Sequence, residues 1–374
     1  MTTRKYFTTD RMGCGAIPAL ALLFPVAIAL MVAGCSKSSG GATASSGFSD
    51  CGVDIHQHLN TAPNTAAYLD YAKTLVGLMD QVGIQKSIIM PPPSSSDSSA
   101  GAHYAYTEII PAANSQSGRL AISGGGGILN SMIHASYLAG GAPTAAELNT
   151  FEQAAQAIAD NGVAGFGEMA VLHLSYRPSH PFIYIPADHP MYLRLADVAA
   201  RNNLPVDIHL ELMSAAGPTP DYFRSASPNN PAILEENQSG FERLLSHNRA
   251  AKIVWVHVGW DNTGYMTAQK VRDMVSRHSN LYLALKMLDS PGPIQFNENR
   301  PLDNSGALRS EWASLIADYP DRFLLGADEF VGSQSENAAG APSTSGTWSI
   351  LSRLPSDTAR KLACENPAKI YRLN

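Results

Sequence analysis

The sequence predicts an α/β protein, a (β/α)8 TIM barrel in a single domain, and three observations carry that expectation. Short apolar runs alternate with stretches of helical period eight times along the chain from Val53 onward. The runs are almost purely aliphatic, as strands buried on both faces of a parallel sheet must be. The few polar residues in them fall at the carboxyl ends: His56 and His58, Glu168, His209, His257 and Asp328. That end is the rim at which a parallel barrel gathers its working groups. A doubly wound open sheet is the alternative, but no Gly-x-Gly-x-x-Gly follows the first strand and no second domain is evident.

With 374 residues, 45% of them hydrophobic and 16% charged, the chain is long and apolar enough for one barrel-sized domain. A net charge of -6 and a pI near 6.0 give no electrostatic reason to expect nucleic acid, so a small molecule is the expected partner. Nothing in the sequence decides the oligomeric state.

Taken in order, Arg4, Lys5 and Arg11 precede an apolar run from Ala16 to Val32, which reads as a signal segment over residues 1–34. Its length is also close to that of a single membrane span. Residues 35–50 follow as a tether, because Ser38 to Gly47 is entirely Ser, Gly, Ala and Thr and has nothing to bury. The folded domain is expected over residues 51–374.

The first strand carries Asp54-Ile55-His56-Gln57-His58, and strict alternation would put Asp54, His56 and His58 on one face. Helical pattern from Thr65 to Val82 leads into strand Ser87 to Met90. A helix through Tyr106 to Ala113 and a strand at Leu120 to Ser123 come next. Thr144 and Glu147 form a capping box for a helix through Ala159, ahead of strand Val163 to Glu168. Later strands are expected at Pro205–Glu211, Lys252–His257, Leu281–Leu285 and Arg322–Asp328. The helices between them are a helix ending near Asn202, one over Ala232–His247, one near Ala268–Ser276 and closing helices over Thr358–Leu373.

Two resemblances add to this. Val32-Ala33-Gly34-Cys35 resembles the lipobox of bacterial lipoproteins, which implies cleavage before Cys35 and lipid on its thiol. With Ser36 next, the resemblance implies outer-membrane sorting and a periplasm-facing protein, held to the membrane by lipid alone. Thr3-Arg4-Lys5-Tyr6-Phe7 is similar to a twin-arginine signal lacking one arginine, so the export route stays open. Cys14 would leave with the signal and Cys35 would be lipidated. Cys51 and Cys364 would then face an oxidising compartment, either bridged across the two ends of the domain or as two separate buried thiols.

From Val53 onward the sequence resembles the amidohydrolase superfamily, more closely its amidohydrolase-related (amidohydrolase 2) branch of metal-dependent barrel hydrolases and decarboxylases. The motifs are His56-Gln57-His58, His209 in Asp-Ile-His, His257 in Val-His-Val-Gly, Asp328 in Gly-Ala-Asp-Glu, and the ending Glu365-Asn366-Pro367-Ala368-Lys369-Ile370-Tyr371. The resemblance implies that His56, His58, His209 and Asp328 bind a divalent metal, zinc before manganese. It implies that His257 binds a second ion or acts beside the first. Some relatives carry a carboxylated lysine where Glu168 stands. Glu168 therefore either bridges two ions or, in a one-metal site, orients ligands or substrate.

The implied chemistry is metal-dependent hydrolysis of an amide, lactone or ester of a small molecule by a metal-activated water. Asp328 would take the proton of that water, and His257 would polarise the carbonyl. Non-oxidative decarboxylation of an aromatic or unsaturated acid is the second reading. A non-catalytic metal- or ligand-binding surface lipoprotein is the third. Arg177, Lys286 and Trp260 are the candidate substrate-binding residues, with His180, Tyr184 and Asp261 beside them on strand-end loops. Arg177 or Lys286 facing the metal would favour an anionic substrate. Asp54 and Asp207 would orient the histidines, or simply pack inside the barrel.

Overall fold

The computed structural model of the chain describes residues 47–60, 64–95, 105–287, 297–332 and 343–373. The expected signal segment, Cys35 and most of the tether lie outside them. Among the described residues no helix is long and apolar enough to cross a membrane.

The strands, in chain order, are β1 (Val53–Leu59), β2 (Lys86–Ile89), β3 (Leu120–Gly125), β4 (Gly165–His173), β5 (Ile183–Tyr184) and β6 (Pro205–Leu210). They continue as β7 (Gly217–Pro218), β8 (Ile233–Leu234), β9 (Lys252–Val258), β10 (Leu281–Leu285), β11 (Phe323–Leu325) and β12 (Glu329–Val331). The main sheet runs β11-β10-β9-β6-β4-β3-β2-β1-β12, parallel at every step, with β5 added antiparallel to β4. Parallel neighbours need crossovers, and amphipathic helices such as Thr65–Val82, Ala145–Asp160, Pro190–Asn202 and Ala268–Arg277 supply them. Asn64 caps the first of these, and Gly83, in the left-handed region at φ 81°, ends it. The Thr144–Glu147 capping box starts the second.

The ladder curls but does not close. Its two ends, β11 and β12, belong to one segment parted by Gly326-Ala327-Asp328. Asp328 sits at φ 53°, outside strand geometry, so the expected run Arg322–Asp328 splits into two short strands. Across this seam the Asp328 N–H donates to His56 O at 2.8 Å and the Ala327 N–H to Asp54 Oδ1 at 3.2 Å. The closed ring expected from the sequence is therefore corrected to a curled parallel sheet with a broken last strand.

Two helical expectations also change. Leu129–Ala139 is a helix that the sequence did not announce, because exposed Leu138 and buried Asn130 and His134 blur its apolar period. The helix expected from Ala232 begins only at Gln238. Ile233–Leu234 pairs instead with Gly217–Pro218, while the Asn237 side chain accepts from the Met213 N–H and donates to Glu211 O, pinning the loop.

The core has two parts. Leu75, Met79, Phe151, Leu195, Trp255 and Val271 fill the layer between sheet and helices. Val53, Ile55, Ile88, Val254, Val256, Leu324 and Tyr371 fill the interior of the curl. Cys51 and Cys364 are joined by a disulfide with Cα atoms 5.3 Å apart, tying the approach to β1 to the C-terminal helical segment.

Candidate metal centre

Val53 and Ile55 point into the curl, so strict alternation would send His56 out. The register of β1 on β2 shifts between Asp54 and Gln57, and this bulge turns His56 inward beside His58. Asp54 is left on another face, where it accepts from Trp348 Nε1–H at 2.8 Å and from the His56 backbone N–H at 3.1 Å. Similar register shifts occur in β4 between Phe166 and Met169 and where β9 meets β10, the stretches that carry Glu168 and His257. His257 lies at φ 62°, which swings its ring off the outer face occupied by Trp255. Left-handed backbone at a non-glycine residue is costly, and at both His257 and Asp328 it aims a side chain into the mouth.

There the side chains converge in two groups. The Nε2 atoms of His56 and His58 are 3.0 Å apart. Glu168 Oε2 lies 3.5 Å and 3.3 Å from them, and Asp328 Oδ1 lies 3.8 Å and 3.1 Å. Ligand bonds of about 2.0–2.1 Å to one tetrahedral ion would separate the donors by about 3.3–3.4 Å. The spacing therefore fits a divalent cation. His58 Nδ1–H donates to Met90 O at 2.8 Å, which leaves its Nε2 lone pair free to ligate, and Phe330 stacks on its ring. His56 Nδ1 has no such partner among the described residues.

The second group gathers on the other oxygen of Glu168. Oε1 lies 2.6 Å from His209 Nδ1 and 2.9 Å from His257 Nε2. Glu211 Oε1 stands 3.6 Å from His209 Nε2. His209 thus stands beside His257, on the other oxygen of Glu168 from His56 and His58. His56, Glu168, His257 and Asp328 each still offer a ligand atom within 4.8 Å of one another.

Without a cation this cluster is a knot of ion pairs. Burial would raise Glu168, but His56 and the bonds to His209 and His257 hold it well below the usual carboxylate range. Asp328 is likewise held down against burial by Lys286, His257 and His58. Burial opposes a charge on His58 and on His209, yet their carboxylate partners push each up to about 9. Burial lowers His56, and lowers His257 to about 3. Protons on two imidazoles thus stand where a metal's charge would fit, and binding would release them.

Of the remaining candidates, Lys286 is ion-paired with Asp328 Oδ2 and does not stand free to meet an anion. Its Nζ lies 5.4 Å from the centre of the Trp260 ring. Arg177 is exposed, and its Nε donates to Ser179 Oγ. His180 stacks on His173, which in turn meets His209, so the long loop does reach the mouth. Asp261 caps a turn through the N–H groups of Thr263 and Gly264. Asp207 bonds Tyr371, not a histidine. Neither Asp54 nor Asp207 orients an imidazole, which leaves both as interior packing groups. The sequence reading did not single out Glu211, Tyr176, Asn262 or Arg300. Glu211 shares the face of His209 two residues on and was legible in principle; Asn262 joins Glu211 to Tyr176 across two loops, which no local pattern records.

No family model matches the chain, and no curated relative matches it. Among solved structures the chain is similar to a dihydroorotase from Saccharomyces cerevisiae in complex with 5-fluoroorotic acid, at 12% identity over 87% of this chain and 84% of that one, with a TM-score of 0.49. It is similar to a dihydroorotase from Campylobacter jejuni at 15% identity over 87% and 84%, with a TM-score of 0.45. It is also similar to a dihydroxybenzoic acid decarboxylase from Polaromonas, solved with bound manganese and 2-nitroresorcinol, at 16% identity over 87% and 97%, with a TM-score of 0.47.

Proposed function

We propose that this chain is a metal-dependent hydrolase of a small molecule with an amide, lactone or ester bond, and that Glu168 would serve as a ligand in both halves of a site for two divalent cations. The observation that carries this reading is the division of the Glu168 carboxylate: Oε2 faces His56, His58 and Asp328, and Oε1 faces His209 and His257. When bound, divalent cations at such a site lower the pKa of a water toward about 7 and polarise a carbonyl.

The chain's own residues supply the rest. Asp328 presents Oδ1 toward the paired histidines, while Lys286 holds Oδ2 and keeps the carboxylate ionised. It is the group placed to accept a proton from the attacking water and to return it to the leaving group. His257 has Nε2 turned to Glu168, so in this reading it is a ligand and not the carbonyl-polarising group. Near-complete burial of the histidines keeps bulk water from competing for their lone pairs. We further infer that the domain spans 51–374 and that the protein is exported and held by lipid on Cys35. The Cys51–Cys364 bridge supports export, since such bridges persist in oxidising compartments.

Metal analysis of the purified chain, together with turnover of a lactone and amide panel, tests the proposal. Close to two ions per chain and hydrolysis that His209→Ala and Asp328→Ala abolish are expected. Turnover indifferent to both substitutions would sink it, and carbon dioxide release from an aromatic acid would transfer the site to decarboxylation.

A further inference from the structure

Arg300 lies in the segment between β10 and β11 and is only 8% exposed. Its Nε and Nη2, the adjacent donors along one edge of the guanidinium, have no hydrogen-bond partner among the described residues. Burying a cation with an empty fork is costly, so native chains rarely leave one without a purpose. Burial pushes this guanidinium down to about 10 against the opposing charge of Asp261. Asp261 does not fill the fork. Its oxygens accept from Thr263 N–H, Gly264 N–H and Asn299 Nδ2–H, and it makes no ion pair with Arg300 within 4.0 Å.

The segment is fastened to the metal centre. Pro301 packs on Gly259, where a Cβ would meet Pro301 Cγ at 2.7 Å and where φ is 89°. Gly259 belongs to the turn closed by the Trp260 N–H on His257 O at 3.0 Å. The Arg300 guanidinium lies 4.2 Å from the centre of the Trp260 ring, the same ring that Lys286 approaches at 5.4 Å. Two cations thus flank one indole beside Asp328. Lys286 is neutralised by Asp328, whereas Arg300 makes no ion pair with a described residue.

We propose that Arg300 is the anion-recognition residue of this site and that the substrate carries a carboxylate seated on the Nε–Nη2 edge of Arg300, next to Trp260. A guanidinium edge matches two coplanar oxygens bidentately. One unpaired cation balances one carboxylate, whereas a phosphate dianion would leave charge uncompensated. The inference rests on the metal-centre reading only for where the reacting carbonyl lies.

The test is calorimetric titration of the metal-loaded chain with glutarate, with its dimethyl ester and with inorganic phosphate, repeated on Arg300→Gln and Arg300→Lys at matched metal content. Glutarate is expected to bind more tightly than the ester and than phosphate. Arg300→Gln is expected to weaken glutarate about 10- to 100-fold, the range for losing hydrogen bonds to a charged group, and to leave the ester unchanged. The thermal midpoint of unliganded Arg300→Gln should be unchanged or higher, because no hydrogen bond or ion pair to a described residue is lost and the glutamine can still pack on Trp260; an arginine held by hydrogen bonds for structure alone would lower it. Should Arg300→Gln not fold, Arg300→Lys, which keeps the charge and loses the fork, is expected to show the same weakening. Equal binding of glutarate and ester, glutarate affinity untouched by either substitution, or phosphate bound more tightly than glutarate would each overturn the assignment. Glutarate binding that Arg300→Gln abolishes in a protein with no hydrolase activity would uphold this inference while defeating the hydrolysis proposal. Hydrolysis without that binding would do the reverse.

Discussion

Glu168 is the residue on which the two halves of the site depend, since each half takes one of its oxygens. Glu168→Gln replaces one oxygen with an NH2 that cannot ligate. We expect metal content to fall from about two ions per chain to one or fewer and kcat/KM to fall by about 100-fold or more, read by elemental analysis and steady-state kinetics. Acidity offers a second check. His58 and His209 are raised to about 9 in the folded, metal-free chain, so between the unfolded value of 6.5 and 9 the folded state holds protons that the unfolded state has released. Their contribution to stability is complete below pH 6.5 and gone above 9. The thermal midpoint of chelated protein should fall across that window. A saturating cation should widen the gap between loaded and stripped protein as pH rises, because ligation needs the neutral imidazoles. A rising midpoint in the stripped protein would contradict the ion-paired cluster. The residue types at this site were legible from where they stood in otherwise aliphatic strands. Their partners were not: that Lys286 belongs to Asp328, and that Asp207 answers to Tyr371, depends on residues 42 and 164 positions apart.

The strands show where local pattern stops being sufficient. Apolar runs located β1, β6, β9 and β10 within a residue or two, because strands buried on both faces leave no polar alternative, whereas β4 runs on to His173, five residues past its expected end, and holds Glu168 inside the strand. Facing was another matter. Alternation would put Asp54 beside His56 and would turn His257 outward with Trp255, and a bulge in one strand and a left-handed residue in the other reverse both expectations. Close approach of β11 to β1 is part of the same device. A Cβ on Gly326 would stand 2.9 Å from His56 Cβ, so Gly326→Ala must push the strand or the histidine aside. The expected cost is about 1–3 kcal/mol in denaturant unfolding, with weaker metal retention. Gly77→Ala is the matched control: nothing lies within 4 Å of its Cβ on an exposed helix face, and it should stabilise the chain by up to about 1 kcal/mol.

At the scale of the whole molecule, the ends of the domain are fastened under the site. Cys51 meets Cys364, Trp348 donates to Asp54, and Tyr371 fills the interior of the curl beneath the candidate site. Because the bridge spans 313 residues of sequence, Cys51→Ser with Cys364→Ser should lower stability by about 2–5 kcal/mol, measured by denaturant unfolding with and without reductant. Metal content should survive at temperatures where the variant stays folded. What the sequence determined by itself was the α/β class, the order of strands and helices, and the identity of the side chains at the strand ends. Each follows from short-range rules of period, capping and burial that a linear chain displays. Only the tertiary structure decided that the ladder stays open between β11 and β12, that His209 joins His257 on one oxygen of Glu168, and that Arg300 stands buried with its Nε and Nη2 unpartnered among the described residues. Those outcomes depend on distances between atoms far apart in the chain, fixed by bulges and by packing between elements, and a pattern with a range of a few residues holds no information about them.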